Sequence, residues 1–111
     1  MSRNSLSEGD WEVLREIAKM LNVFAKEKAY GYLDRLANAY SAKAAESVLR
    51  EALRDARSLL GQGTWIPIPR ANVVERFLKL VEKDINVCTK VVALALAFPG
   101  TSDTQDRRGN E

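Results

Sequence analysis

The most informative stretch of this chain is YGYLDRLANAYSAKAAESVLREALRDARSLL, residues 30–60. In its second half, alanine, valine and leucine recur at the three- and four-residue spacing of an amphipathic helix, which predicts one buried face. The residues predicted on that face are Ala45, Val48, Leu49, Ala52, Leu53, Ala56, Leu59 and Leu60. Ser41 is a good candidate for the N-cap of this helix, and Gly61 is expected to close it.

The opposite face of the same predicted helix is cationic. It carries Lys43, Arg50, Arg54 and Arg57, which we call the basic ridge. At about 100° per residue these side chains project within roughly 60° of one another, with Glu51 and Asp55 toward the flanks and Glu46 at one margin. Such a ridge suits the phosphates of a nucleic acid, although a purely solubilising charged face fits the pattern about equally well.

Two helices are expected before this one. The first begins near Ser5 or Ser7, where a serine is followed three residues later by a carboxylate, the pattern of a capping box. The second covers about residues 28–40, with Tyr40 on its apolar face. Gly31 argues for a bend between the two helices, because glycine weakens a continuous helix.

The final helical pattern runs over residues 69–99, where Pro69 suits a helix start and Pro99 ends the pattern. The pattern fits either one long helix or two consecutive ones, and Asp84 and Asn86 favour a break or kink between two halves. After Lys90 the pattern is apolar on nearly every side, which is typical of a helix at a bundle centre or against another subunit.

The segment GQGTWIPIPR, residues 61–70, is predicted to be an extended crossover, since its glycines and prolines oppose a helix. We expect Trp65, Ile66 and Ile68 to pin the crossover onto the bundle. The alternative is that Trp65 docks onto another protein, because tryptophan is enriched at binding hot spots.

These patterns predict an all-α protein. We expect a compact bundle of four to five helices in one domain, residues 1–99, followed by a disordered tail, residues 100–111. The length of 111 residues is sufficient for one core without disulfides or metals.

Composition excludes several kinds of site. With no histidine and one cysteine, a single chain cannot form a Cys/His zinc site, a Cys-His or Ser-His-Asp catalytic centre, or an intrachain disulfide. We expect no catalytic residue, metal or cofactor, with Asp34 as an ordinary helix residue and Cys88 as a small buried hydrophobe. The apolar run 91–98 is far shorter than the roughly 18–20 residues that span a bilayer, so we expect a cytoplasmic protein without a membrane partner.

The tyrosines leave two interpretations open. Tyr30, Tyr32 and Tyr40, with Arg35 nearby, have the chemistry to stack on unpaired bases. The favoured interpretation places them at the margin of the core with their hydroxyls in water.

The run from Tyr32 to Ala39, Tyr-Leu-Asp-Arg-Leu-Ala-Asn-Ala, followed by an alanine-rich helix with VLREALRDA, resembles the small-subunit family of archaeal type I-A CRISPR interference complexes. The resemblance covers roughly residues 22–60, with weaker similarity in the final helices. It implies a noncatalytic, mostly helical protein that packs beside the subunits holding the guide RNA and helps to stabilise the opened target DNA. Type III small subunits are also helical bundles and remain a neighbouring possibility.

We therefore predict a CRISPR effector subunit whose partners are other effector subunits and guide RNA or target DNA. Its predicted phosphate contacts are the basic ridge, supplemented by Arg35. The alternative is a protein-interaction or self-association module without nucleic-acid binding. Its surface would comprise Trp65, Val91, Val92, Leu94 and Leu96.

Overall fold

The computed structural model describes residues 6–27 and 31–97, and within these ranges it contains five α-helices and no strand. The helices are α1, Glu8–Glu27; α2, Tyr32–Ala37; α3, Ala42–Gly61; α4, Ala71–Lys83; and α5, Val87–Ala97. The predicted all-α bundle of four to five helices is confirmed. The tail predicted for residues 100–111 lies outside the described residues.

α1 begins at a reciprocal pair of hydrogen bonds between Ser7 and Asp10. The Ser7 Oγ accepts from the Asp10 amide at 3.1 Å, and the Asp10 carboxylate accepts from the Ser7 amide at 3.2 Å. This is a capping box with aspartate in place of glutamate, as one of the two predicted starts required. The other predicted start, Ser5, lies outside the described residues.

α1 lies at the centre of the bundle and packs most extensively against α5, then against α4. Its apolar face is completely buried and includes Leu14, Ile17, Leu21 and Phe24. The Asn22 Nδ2 also donates a hydrogen bond to the Ala95 carbonyl at 2.8 Å, which joins α1 to the last turn of α5. α3 packs against α2 and α4, so it lies at the edge of the bundle.

α2 is shorter than the helix predicted over residues 28–40. Gly31 precedes it in the left-handed conformation, with φ 67°, so the expected bend is present. The helix ends at Asn38, whose amide and side-chain nitrogen both donate to the Asp34 carbonyl, at 3.0 and 2.8 Å. Tyr40 therefore lies beyond the helix and is 89% exposed, which makes its predicted place on the apolar face wrong. Residues 28–30 lie outside the described residues.

α3 begins at Ser41, as predicted, and the Ser41 Oγ accepts from the Ala44 amide at 3.1 Å. Its buried residues are Ala45, Val48, Leu49, Ala52, Leu53 and Ala56. The predicted stripe ends early: Leu59 is half-buried and Leu60 is 45% exposed, because the chain leaves the bundle here through exposed residues 61–65. Gly61 belongs to the helix, and the positive φ of 98° occurs at Gly63 instead.

The crossover is pinned by fewer residues than predicted. Ile66 is 2% exposed and Ile68 is half-buried, so these two side chains hold the segment on the bundle. Trp65 is 75% exposed and takes no part, which makes its predicted pinning role wrong. α4 then begins at Ala71 with Arg70 as its N-cap, one residue after Pro69.

The predicted break between the last two helices is confirmed. α4 ends at Lys83 and α5 begins at Val87. The intervening turn is closed by Asp84, whose carboxylate accepts from the Asn86 amide at 3.0 Å. This local side-chain bond satisfies an amide that a continuous helix would have bonded to the preceding turn.

Candidate nucleic-acid interface

The basic ridge lies on the exposed face of α3. All four of its side chains are exposed, and the buried residues of the helix occupy the opposite side. From the first cation to the last, the helix rises about 21 Å at about 1.5 Å per residue. The ridge is therefore long enough to face several consecutive phosphates of one strand.

The four ridge cations differ in their acidic partners. Arg50 Nε lies 2.9 Å from Glu46 Oε2, one helical turn earlier. For Lys43, Arg54 and Arg57, no carboxylate lies within salt-bridge distance among the described residues. Three of the four cations are thus available to an external anion without breaking an ion pair.

The acidic flank of α3 is occupied by α2. Arg35 Nη2 lies 3.0 Å from Glu51 Oε1. The Tyr32 hydroxyl donates its one proton to the Asp55 carboxylate, and the Glu51 carbonyl shares this proton at the longer distance of 3.4 Å. Because α2 binds both acidic side chains, neither of them pairs with a ridge cation.

Arg35 is engaged where α2 meets α3. Besides its ion pair, its guanidinium carbon lies 5.5 Å from the centroid of the Tyr32 ring, a cation–π distance. An anion at the ridge would have to compete with both contacts to recruit Arg35. The predicted supplementary role therefore has less geometric support than the roles of the other predicted cations.

Tyr32 is a core residue. Its side chain is 4% exposed, and its ring meets the ring of Phe24 edge to face, with centroids 5.1 Å apart. Burial, and secondly the hydrogen bond to Asp55, raise the pKa of Tyr32 to about 12. Its ring faces are not open to an unpaired base. Tyr40 is exposed, and Tyr30 lies outside the described residues.

Trp65, like Tyr40, is an aromatic residue that was predicted to pack on the bundle and is exposed instead. In an extended segment, successive side chains point to opposite sides, so Ile66 and Ile68 share one side and Trp65 takes the other. The structure has this alternation, with Ile66 buried and Trp65 in solvent. The alternation was the signal by which the sequence could have placed Trp65 outside.

The predicted apolar interaction surface on α5 is reduced to its last turn. Val91 is 0% exposed and Val92 is 8% exposed, so both belong to the core and cannot contact a partner. Leu94 is half-buried, whereas Leu96 is 63% exposed. Leu96 also lines a cleft of about 390 Å³, together with residues of α1 and α2.

Cys88, Asp34 and Asp84 carry side chains that can take part in catalysis or metal binding, and each lies in surroundings typical of an ordinary structural residue. Cys88 is 1% exposed, and its burial raises the pKa of the thiol to about 11. Asp34 is exposed on α2, and Asp84 closes the turn before α5. Within residues 6–27 and 31–97, no cluster of three or more histidine, cysteine, aspartate or glutamate side chains could hold a metal ion.

None of the helices in the described part of the chain combines the length and apolar character needed to cross a membrane.

Comparison with known proteins gives no match: no family model, no curated protein and no solved structure is similar to this chain.

Proposed function

We propose that this chain is a noncatalytic small subunit of a CRISPR ribonucleoprotein effector, in which the basic ridge contacts the backbone of guide RNA or target DNA. The observation that carries the nucleic-acid contact is the exposed position of Lys43, Arg54 and Arg57 without acidic partners among the described residues. Phosphate contacts of this kind position a strand without reading its bases.

The effector assignment rests on the family resemblance of residues 32–39. Tyr32, Leu33 and Leu36 of that run are buried, so these positions serve the packing of α2. Through Tyr32 and Arg35, α2 also occupies the acidic flank of α3 and so leaves the ridge cationic. Residues 32–39 thus support the proposed interface indirectly, because they bind the carboxylates of Glu51 and Asp55 on the flank of α3.

The expected binding is weak and salt-sensitive. Three unpaired cations at about 0.7 per phosphate contact give a slope near −2 for log affinity on single strands against log salt. Recruitment of Arg50 away from Glu46 would bring the slope toward −3. Affinity in the complete effector would come from several subunits that contact the same strand.

The test is fluorescence anisotropy with a labelled single strand of RNA or DNA. The ridge variant changes Lys43, Arg54 and Arg57 to Glu, and a matched control changes Lys19, Lys79 and Lys83 to Glu. The control residues are exposed, lie on α1 and α4, and change the net charge equally. We expect the ridge variant to lose at least about tenfold in affinity at low salt and the control to lose much less. Equal losses would remove the ridge from the mechanism.

The effector assignment has a separate test. The tagged chain is purified from its native host, and the proteins and RNA that accompany it are identified. We expect CRISPR effector subunits and repeat-derived guide RNA. A preparation that contains neither would contradict the assignment, whatever the isolated chain binds.

A second candidate function is self-association through the end of α5, favoured by the 63% exposure of Leu96 beside an open cleft. Sedimentation at several concentrations tests it with Leu96→Glu as the variant and Ala93→Glu, also exposed on α5, as the control. We expect a dimer that only Leu96→Glu dissociates. A monomer at every concentration would exclude this function for the isolated chain.

A further inference from the structure

The crossover presents one large aromatic side chain to solvent, Trp65, eight residues after the last cation of the basic ridge. Residues 60–65 are exposed without interruption, and Trp65, at 75% exposure, is the last of them before Ile66 turns into the core. An exposed tryptophan leaves a large apolar surface in water, and a flat partner that covers this surface gains binding free energy.

The position of Trp65 is fixed by the backbone on both sides. Before it, the Thr64 amide donates to the Leu59 carbonyl at 3.0 Å, after Gly63 has turned the chain at a φ of 98°. After it, Ile66 anchors the chain in the core at 2% exposure, and Pro67 restricts the backbone further. The backbone that carries the ring is thus anchored on both sides of Trp65.

The line of the ridge ends near Gly61, the last residue of α3. Gly61 is in the same angular position on α3 as Lys43, since eighteen residues make five turns of about 3.6 residues each. Arg57 lies one turn before Gly61 and close to the same line. The chain that leads to Trp65 therefore continues from the end of the ridge.

The charge around Trp65 in the chain is positive only. From residue 56 to residue 74 the sequence contains Arg57 and Arg70 and no acidic residue. Both arginines are exposed, and no carboxylate lies within salt-bridge distance of either among the described residues. A flat apolar ring that is flanked along the chain by unpaired cations is complementary to an unpaired nucleotide, which offers a base to stack and a phosphate to bind.

From these observations we propose that Trp65 stacks on a base of a strand held by the basic ridge, and that this contact makes the surface select single-stranded over double-stranded nucleic acid. The inference rests on the proposed backbone contact of the ridge and adds the class of ligand. In a duplex the bases are paired and stacked inside, so only the ridge can act. An unpaired strand engages both the ridge and the ring.

The experiment uses the full chain with Trp11→Phe, so that Trp65 is the only tryptophan. A labelled oligothymidylate and a duplex of equal phosphate content are titrated, with anisotropy to report binding and Trp65 emission to report stacking. We expect the single strand to quench the emission and to bind more tightly than the duplex. In Trp65→Leu, single-strand affinity should fall about 5- to 100-fold with an unchanged salt slope, and Trp65→Phe should retain most of it.

The outcomes separate the two proposals. If the single strand binds in a ridge-dependent manner while Trp65 emission stays constant and Trp65→Leu binds normally, the stacking contact is refuted and the ridge contact stands. If Trp65→Leu loses only its association with effector proteins, Trp65 is a protein contact and the inference is likewise refuted. If the ridge variant binds as well as its control, the proposed backbone contact fails first.

Discussion

The helices α3 and α5 bury the same kind of face by different means. In α3 the buried residues are alanine, valine and leucine, and the exposed ones are mainly charged or polar, so residue type alone separates the two sides. In α5 the sequence VCTKVVALALA is apolar almost throughout, yet burial still follows helical spacing: Val87, Cys88, Val91, Val92 and Ala95 are buried. The face of α5 is set by what packs against it.

The outer faces of the two helices therefore differ in character. α3 lies at the edge of the bundle, and its outer face is chemically suited to water or to a polyanion. α5 packs against α1, and the side turned away from the core contains Ala93 and Leu96 because its sequence has few polar residues to offer. Exposure of a leucine on α5 is therefore a result of composition, whereas exposure of arginines on α3 is a result of patterning.

The largest expected effect contrasts one leucine from each helix. Leu49 of α3 is 0% exposed, and Leu49→Ala should destabilise the fold by about 2–5 kcal/mol, through lost burial and the cavity left behind. Leu96→Ala on α5 should change stability by no more than about 0.5 kcal/mol. Urea unfolding followed by circular dichroism measures both. Similar losses would show that the end of α5 is packed as firmly as α3.

The next effect compares the ionisable groups that are buried near each helix. Tyr32, at the junction of α2 with α3, has its pKa raised from 10.0 to about 12, and Cys88 on α5 has its pKa raised from 9.0 to about 11. In each case the fold favours the neutral form. Their stabilising contributions are complete below the unfolded-state pKa values and are lost as the pH rises through the folded-state values.

Measured stability should therefore fall between pH 9 and pH 12, with the part due to Tyr32 confined to pH 10–12. This part amounts to roughly 2–3 kcal/mol at about 1.4 kcal/mol per pKa unit. Tyr32→Phe should flatten the decline above pH 10, and Cys88→Ala should flatten it below pH 11. The measurement is urea unfolding across this pH range, in which slopes are compared because both variants also alter packing. Parallel slopes in all three proteins would contradict the prediction.

The third prediction concerns the replacement of one alanine in each helix by leucine. Ala52 of α3 is 0% exposed, so Ala52→Leu has no space for its extra atoms and should cost about 1–3 kcal/mol. Ala93 of α5 is exposed, and Ala93→Leu should be neutral within about 0.5 kcal/mol. Thermal unfolding gives the ranking. A tolerated Ala52→Leu would mean that the buried face of α3 is loosely packed.

The smallest expected effect separates stability from binding on α3 itself. Glu46→Gln removes the partner of Arg50 and should cost only about 0.3–0.5 kcal/mol, since an exposed pair one turn apart is weak. The released arginine should steepen the salt slope of single-strand binding from near −2 toward −3. Glu82→Gln on α4, exposed and without an ion pair among the described residues, is the matched control. Identical salt slopes for the two variants would place Arg50 outside the interface.

Much of α3 was predictable because its information is local. Ser41 as the cap, the buried alanine and leucine face, and the direction of the ridge follow from side-chain chemistry and helical geometry. The pairing of the acidic residues was harder to predict from the sequence. That Arg35 and Tyr32 cover Glu51 and Asp55 depends on where α2 packs, and residues sixteen and more apart in sequence meet there only in the folded chain.

The errors have a common physical origin. Val91 and Val92 were assigned to the surface of the alternative function, and Leu60 and Tyr40 to the apolar faces of their helices, because apolar character alone does not reveal which neighbours cover a side chain. Each of these positions lies at a helix end or on a helix without polar patterning, where tertiary packing decides burial. The helix break at Asp84 was predictable, since the side chain that closes it is part of the sequence signal.

The hydrogen bond from Asn22 to the Ala95 carbonyl acquires a particular meaning for a helix such as α5. A helix that is apolar on nearly every side could shift by one turn or rotate against α1 and still bury a similar apolar area. A directional bond between fixed atoms is satisfied in a single register and lost in its neighbours. One amide group thereby discriminates among packings that hydrophobic burial alone would leave nearly equal in free energy.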